Sequence, residues 1–199
     1  SAVSGLAGVW LGGHLTSKRE LQRDKAKSEK ETVYLAVLVG AHLDRLADEC
    51  AAVAYDDGMQ EGRLPDDQGS REPLEPLPKF QPLELDVEWK SLPAELMYGI
   101  LNLQHKIEQI DLYVRQIGHN DFPPDFSDFF EARQISFAEL GLEVIRLARL
   151  LRAHAALPAP QAILDKWDRD EAIQERLDIL TTRVEARKQK ILQRNSPLV

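Results

Sequence analysis

Apolar residues recur at intervals of three and four over four separate stretches of the chain, which is the spacing of one buried helix face. The first stretch joins a polar segment to an apolar one, because almost every residue of 16–32 is polar and the apolar stripe starts at Val33. We predict a single helix from about 16 to 57. It ends at Asp56-Asp57-Gly58, where glycine can adopt the left-handed conformation that closes a helix. Its apolar stripe consists of Leu35, Leu38, His42, Leu46, Cys50 and Val53.

The second stretch follows Ser91, a residue type that caps helix N-termini, and proline is tolerated at Pro93 in the first turn. Its stripe runs from Leu96 to Ile117 and stops at Gly118. We predict the second helix over this segment.

The third stretch begins at Ser127 or Asp128 and closes at Pro158. Glu131 lies three residues after Asp128, which is the spacing of a capping box. The fourth helix is predicted to start at Pro160 and to continue towards the C-terminus, with acidic residues early and basic residues late, as the helix dipole favours.

Residues 58–91 interrupt this pattern, because five of the eleven prolines lie there (Pro65, Pro73, Pro76, Pro78 and Pro82). Apolar residues such as Phe80 predict that this loop lies on the helices, and Trp89 is predicted to pin its end. Four amphipathic helices with one long connection predict an all-α fold: a four-helix bundle with a long N-terminal helix and one long Pro-rich crossover loop.

The first fifteen residues contain no Asp, Glu, Lys or Arg, and they are too few to span a bilayer. Ser4, Gly8 and Gly12 follow the spacing of four that is typical of packed membrane helices. A basic flank at 18–30 follows them. We expect residues 1–15 to be the exit half of a membrane anchor on the cytoplasmic side, and a flexible Gly-rich tail is the alternative. The chain then divides into 1–15, a charged helical stalk at 16–32, and a bundle domain at 33–199.

The composition is that of an ordinary soluble globular protein, with 199 residues, 43% hydrophobic, 29% charged and a net charge of −8. The acidic balance weighs against nucleic acid as a partner. It does so only for the middle of the molecule, because the basic flank at 18–30 can face an anionic membrane surface.

Candidate chemistry is sparse. No histidine lies three residues after a glutamate, as a two-metal helical bundle requires, and no phosphate-binding or hydrolase motif is present. We therefore predict no catalytic residue, no metal site and no cofactor. Cys50, on the apolar stripe, is interpreted as a buried inert thiol, and His42 as a core histidine with a polar partner.

Four residues are candidates for structural roles or a partner site: Arg133, Asp111, Trp89 and His42. Arg133 interrupts the apolar stripe of the third helix, and we predict that it forms an ion pair with Asp111 that fixes the register of the helical hairpin. An exposed Trp89 would instead indicate a partner site.

Several short segments together resemble a family of uncharacterised, membrane-anchored proteobacterial proteins over roughly residues 85–160. The segments are Asp86-Val87-Glu88-Trp89-Lys90, Phe129-Phe130-Glu131-Ala132-Arg133, Leu140-Gly141-Leu142, Leu147-Ala148 and Leu151-Arg152. The resemblance implies a helical bacterial protein behind an N-terminal anchor, and it implies no activity.

We expect a bundle tethered to the cytoplasmic side of a bacterial inner membrane that scaffolds or senses a protein partner. We also expect the stalks of two copies to pair as a parallel coiled-coil homodimer, although the stalk lacks a clean heptad seam. One alternative is an enzyme with a site under the 58–91 loop, formed by Glu108 or Asp111 with Arg133 and a loop acid. Another is a periplasmic ligand-sensing bundle.

Overall fold

The computed structural model describes residues 3–59, 71–122, 126–159 and 168–195. Within these ranges, residues 3–18, 21, 191, 194 and 195 are described by their helical backbone alone. The described chain is all-α and contains no strand. Its helices are α1 (Val3–Tyr55), α2 (Ala94–Leu101), α3 (Leu103–Gly118), α4 (Ser127–His154) and α5 (Arg169–Asn195), with two 3₁₀ turns at Pro82–Glu84 and Trp89–Ser91.

Helix α4 is the centre of the bundle, because it packs against α1, α2, α3 and α5. Its apolar residues line more than one face, and twelve of its residues are buried. The contacts of Arg152 with Asp44 and of Arg133 with Asp56 show that α1 runs antiparallel to α4. Lys106 reaches Glu143 and Gly118 lies against Phe129, so α3 is antiparallel to α4 as well.

Small residues allow α1 and α4 to approach closely. A Cβ atom placed on Gly141 would lie 3.2 Å from the Cβ atom of Cys50 and 3.6 Å from Cδ1 of Ile173 on α5. The three helices therefore meet at Gly141, and Cys50 is completely buried beside it.

The described part of the proline-rich loop packs on the helices, which confirms that expectation for residues 71–91. The Lys79 N–H donates to Oε2 of Glu49 on α1 (3.2 Å), and the Phe80 N–H donates to Oε1 of Gln104 on α3 (3.3 Å). Phe80 is buried in the core, while Leu74 and Leu83 are exposed. The loop thus runs between α1 and α3, and its apolar side chains extend the core.

The helices differ from the expected ones at three places. Helix α1 begins at Val3 and not near residue 16, and the expected second helix is divided at Asn102 into α2 and α3. Pro93 is the N-cap of α2, because Ser91 belongs to a 3₁₀ turn. The expected start of the fourth helix at Pro160 lies outside the described residues, and its described part begins at Arg169.

Candidate functional site

The most densely bonded polar group in the described structure is the Asp56 carboxylate, just beyond the end of α1. Its Oδ2 atom accepts hydrogen bonds from the N–H groups of Leu74 and Glu75, both at 3.0 Å, and its Oδ1 atom accepts one from Gly58 at 2.9 Å. Asp56 and Arg133 are both buried, and Nη1 of Arg133 lies 2.6 Å from Oδ2 of Asp56.

Two side chains of α4 complete this polar cluster around Asp56. Nη2 of Arg133 donates to the Glu75 carbonyl oxygen (2.5 Å), and Nε2 of Gln134 donates to the Asp56 carbonyl oxygen (2.8 Å). The cluster therefore joins the end of α1, the start of the proline-rich loop and the first half of α4.

Electrostatics keep the Asp56 side chain ionised. Burial alone would raise the pKa of Asp56, but the N–H groups of Glu75 and Gly58 and the Arg133 guanidinium stabilise its charge, and its pKa is lowered overall. The pKa of Glu131, one turn before Gln134, shifts in the opposite direction. Burial raises the pKa of Glu131, although Arg187 opposes the shift.

The predicted ion pair between Arg133 and Asp111 is wrong. Arg133 pairs with Asp56, and Asp111 pairs with Arg115 one turn along α3 (Nη2 to Oδ2, 2.6 Å). Arg133 lies on the face of α4 that meets α1 and the loop, whereas Glu143, which contacts Lys106, lies on the face that meets α3. The sequence of the helical hairpin alone could not reveal Asp56 as the partner of Arg133, because Asp56 precedes Arg133 by 77 residues.

The other candidate residues remain apart from that cluster. Trp89 is partly buried and packs against the core, at the end of the loop that it was predicted to pin. His42 is partly buried on α1, and the structure shows no hydrogen bond or ion pair between it and the residues that are described. Ser4, Gly8 and Gly12 lie within α1, where only the backbone is described.

The residues of the alternative enzyme site are not brought together. Arg133 is buried with Asp56, Asp111 pairs within its own helix, and Glu108 accepts a hydrogen bond from Gln104 (2.8 Å). Within the described ranges, no group of His, Cys, Asp and Glu side chains is arranged to hold a metal ion.

The first half of α1 has its described side chains in solvent. Residues 19, 20 and 22–30 are exposed, and burial in the bundle starts at Leu35. Lys27 and Glu31 form an ion pair one turn apart, with Nζ 3.7 Å from Oε1. Of the helices described here, none combines the length and hydropathy needed to cross a membrane.

Two open grooves lie on the surface. One, of about 510 Å³, runs between α4 and α5, where Leu142 and Ile145 face acidic residues such as Glu171 and Glu175. The other, of about 290 Å³, lies by Tyr113 and Asp121 near the corner between α3 and α4.

The fold and these contacts define an all-α helical bundle whose first helix projects from the packed core. Comparison of the chain with protein-family models, curated proteins and solved structures gave no match.

Proposed function

We propose that this protein is a scaffold or sensing module that α1 tethers to the cytoplasmic face of a bacterial inner membrane and that binds a protein partner there. The observation that supports the proposal is the continuity of α1 from Val3 to Tyr55. One helix contains the apolar N-terminal segment, the exposed charged segment and the residues that form the bundle core.

The charged segment sets the geometry of the tether. Residues 16–32 would separate the bundle from the apolar segment by about 25 Å at the helical rise of 1.5 Å per residue. The basic flank at 18–30 would then face anionic lipid headgroups, and the bundle would stand clear of the surface.

The experiment is fractionation of the natural gene product that carries a C-terminal reporter active only in the cytoplasm. We expect the protein in the membrane pellet after alkaline carbonate extraction, with an active reporter. Leu6→Arg should move the protein to the soluble fraction, because residue 6 would lie near the centre of a span of about 20 residues that ends at residue 15, where a cationic side chain costs about 3 kcal/mol.

Leu112→Arg is the matched control, since Leu112 is 61% exposed on α3, and this variant should remain in the membrane pellet. Unaltered protein in the soluble fraction would contradict the proposal. A membrane-bound protein with an inactive reporter would retain the anchor and reverse the orientation.

We also propose that two copies pair in parallel through α1. Val33, Tyr34 and Val37 are 40%, 60% and 57% exposed where α1 leaves the bundle. Light scattering over a concentration series should show a mass that rises from monomer to dimer. A monomer at every concentration would contradict pairing.

A further inference from the structure

Helix α5 is attached to the bundle by few apolar side chains. Only Ile173 and Leu180 are buried among its described side chains, whereas α4 buries nine apolar side chains. Helix α2 also buries two, but over eight residues, so α5, with 27 residues, gains the least stability from buried apolar area for its length.

Arginine contacts fasten the N-terminal end of α5 to α1. Nη1 of Arg169 lies 2.9 Å from Oδ1 of Asp48 and donates to the Asp44 carbonyl oxygen at 3.2 Å. Asp170 pairs with Arg149 of α4. These contacts are partly exposed, so water and salt reach them.

The middle and the far part of α5 are held in the same way. Nε of Arg176 donates to the Ala54 carbonyl oxygen (3.0 Å), and its guanidinium lies 5.1 Å from the centre of the Tyr55 ring. Further along α5, Arg187 pairs with Glu131 and with Asp128 (3.1 Å) of α4.

We propose that α5 is a salt-sensitive latch, which leaves the bundle as a unit when its arginine contacts are weakened while α1–α4 stay folded. Exposed ion pairs are weak individually and are screened by salt. Three sets of them act between α5 and the rest of the bundle, centred on Arg169, Arg149 and Arg187. Screening all three sets of ion pairs with salt should shift the docking equilibrium of α5 about tenfold towards the undocked state.

Cys50 reports this opening directly. It is the only cysteine of the chain, and it is buried at the point where Gly141 of α4 meets Ile173 of α5. When α5 leaves, Ile173 withdraws from this point, and we expect the thiol to become more accessible to a reagent.

The experiment measures the labelling rate of Cys50 in the folded full chain with iodoacetamide, which is uncharged. The rate is divided by that of the urea-unfolded chain at the same pH and salt. We expect the ratio to rise about tenfold between 0.05 and 1 M NaCl, while the helical circular dichroism signal shows no global unfolding.

Arg169→Gln should raise the ratio severalfold at 0.05 M NaCl and reduce its salt dependence. The matched control is Arg115→Gln, which removes an exposed ion pair between two residues of α3 and should leave the ratio unchanged. The salt series needs no variant, so it tests the proposal even if Arg169→Gln fails to fold.

A labelling ratio that is independent of NaCl would overturn the proposal. So would labelling that follows only the global unfolding equilibrium measured in urea, because α5 would then unfold together with the bundle.

Discussion

At the scale of single residues, Asp56 and Arg133 join three separate parts of the chain. Breaking a buried ion pair from one side typically costs 3–5 kcal/mol, because the remaining charge is left without its partner. We expect Arg133→Met to lower the free energy of unfolding by about 3 kcal/mol, since three N–H groups still stabilise Asp56. Urea denaturation measures this.

The matched comparison is Asp111→Asn, which breaks the pair with Arg115. Arg115 is 66% exposed, so the loss should stay below about 1 kcal/mol. Equal losses in the two variants would show that the buried pair is no more important than the surface pair.

The lowered pKa of Asp56 gives a pH dependence with a definite sign. A carboxyl whose pKa is lower in the folded state stabilises the fold fully above its unfolded pKa, near 3.9, and loses this contribution as the pH falls through the folded pKa. The stability difference between the unaltered protein and Asp56→Asn should be equal at pH 7 and pH 5. It should become smaller at pH 3. A difference that is constant over this range would contradict the assignment.

Position 58 requires a glycine, both because of its backbone conformation and because of the space around it. Its φ is +70°, and a Cβ atom there would lie 2.2 Å from Cζ of Phe130. We expect Gly58→Ala to cost about 3 kcal/mol or more, because strain and overpacking add. In α1, by contrast, Gly40→Ala should stabilise the protein by up to about 1 kcal/mol, since the added Cβ would lie 3.8 Å from its nearest neighbour on another helix, Nη2 of Arg152. Thermal denaturation compares the two, and a tolerated Gly58→Ala would contradict the packing.

The sequence marks Gly58 and Arg133 as unusual positions, but it does not reveal that Asp56 is the partner of Arg133. Gly58 was recognisable because glycine commonly ends helices, and that requirement is local. The partner of Arg133 depends on how α1, the loop and α4 fold together, and no local pattern reports on that arrangement.

At the scale of elements, the chain leaves α4 through an alanine, two residues after His154, whose backbone conformation favours glycine. Ala156 has a φ of +53°, and the Leu157 N–H donates to the Arg152 carbonyl oxygen (2.9 Å), as in a Schellman motif. Ala156→Gly should raise the free energy of unfolding by about 1 kcal/mol. Ala153→Gly, in the last helical turn, should lower it by a similar amount. Equal effects of the same sign would contradict the left-handed geometry.

The helix pattern was predictable where the apolar stripes are regular, as in α4, which begins at Ser127 as expected. The capping at its start was not predictable in detail. Asp128 pairs with Arg187 of α5, and the Phe129 N–H instead donates to Oδ2 of Asp121 (2.9 Å). The division at Asn102 carries no proline signal, and nothing in the structure explains it.

At the scale of the whole molecule, the all-α bundle and the loop lying on it follow from periodicity and proline content. The start of α1 does not, because a polar or Gly-rich segment has no buried face for a pattern to reveal. The exposed part of α1 is nevertheless continuous with its buried part, and on that continuity the proposed tether depends.

Electron–electron distance measurement between spin labels tests this continuity most directly. Labels at Glu20→Cys and Arg45→Cys, in a Cys50→Ala background, occupy two exposed positions of α1. Twenty-five residues of helix separate them, so we expect a narrow distribution centred near 37 Å. A broad distribution centred at shorter distances would show that α1 is broken between the exposed segment and the bundle.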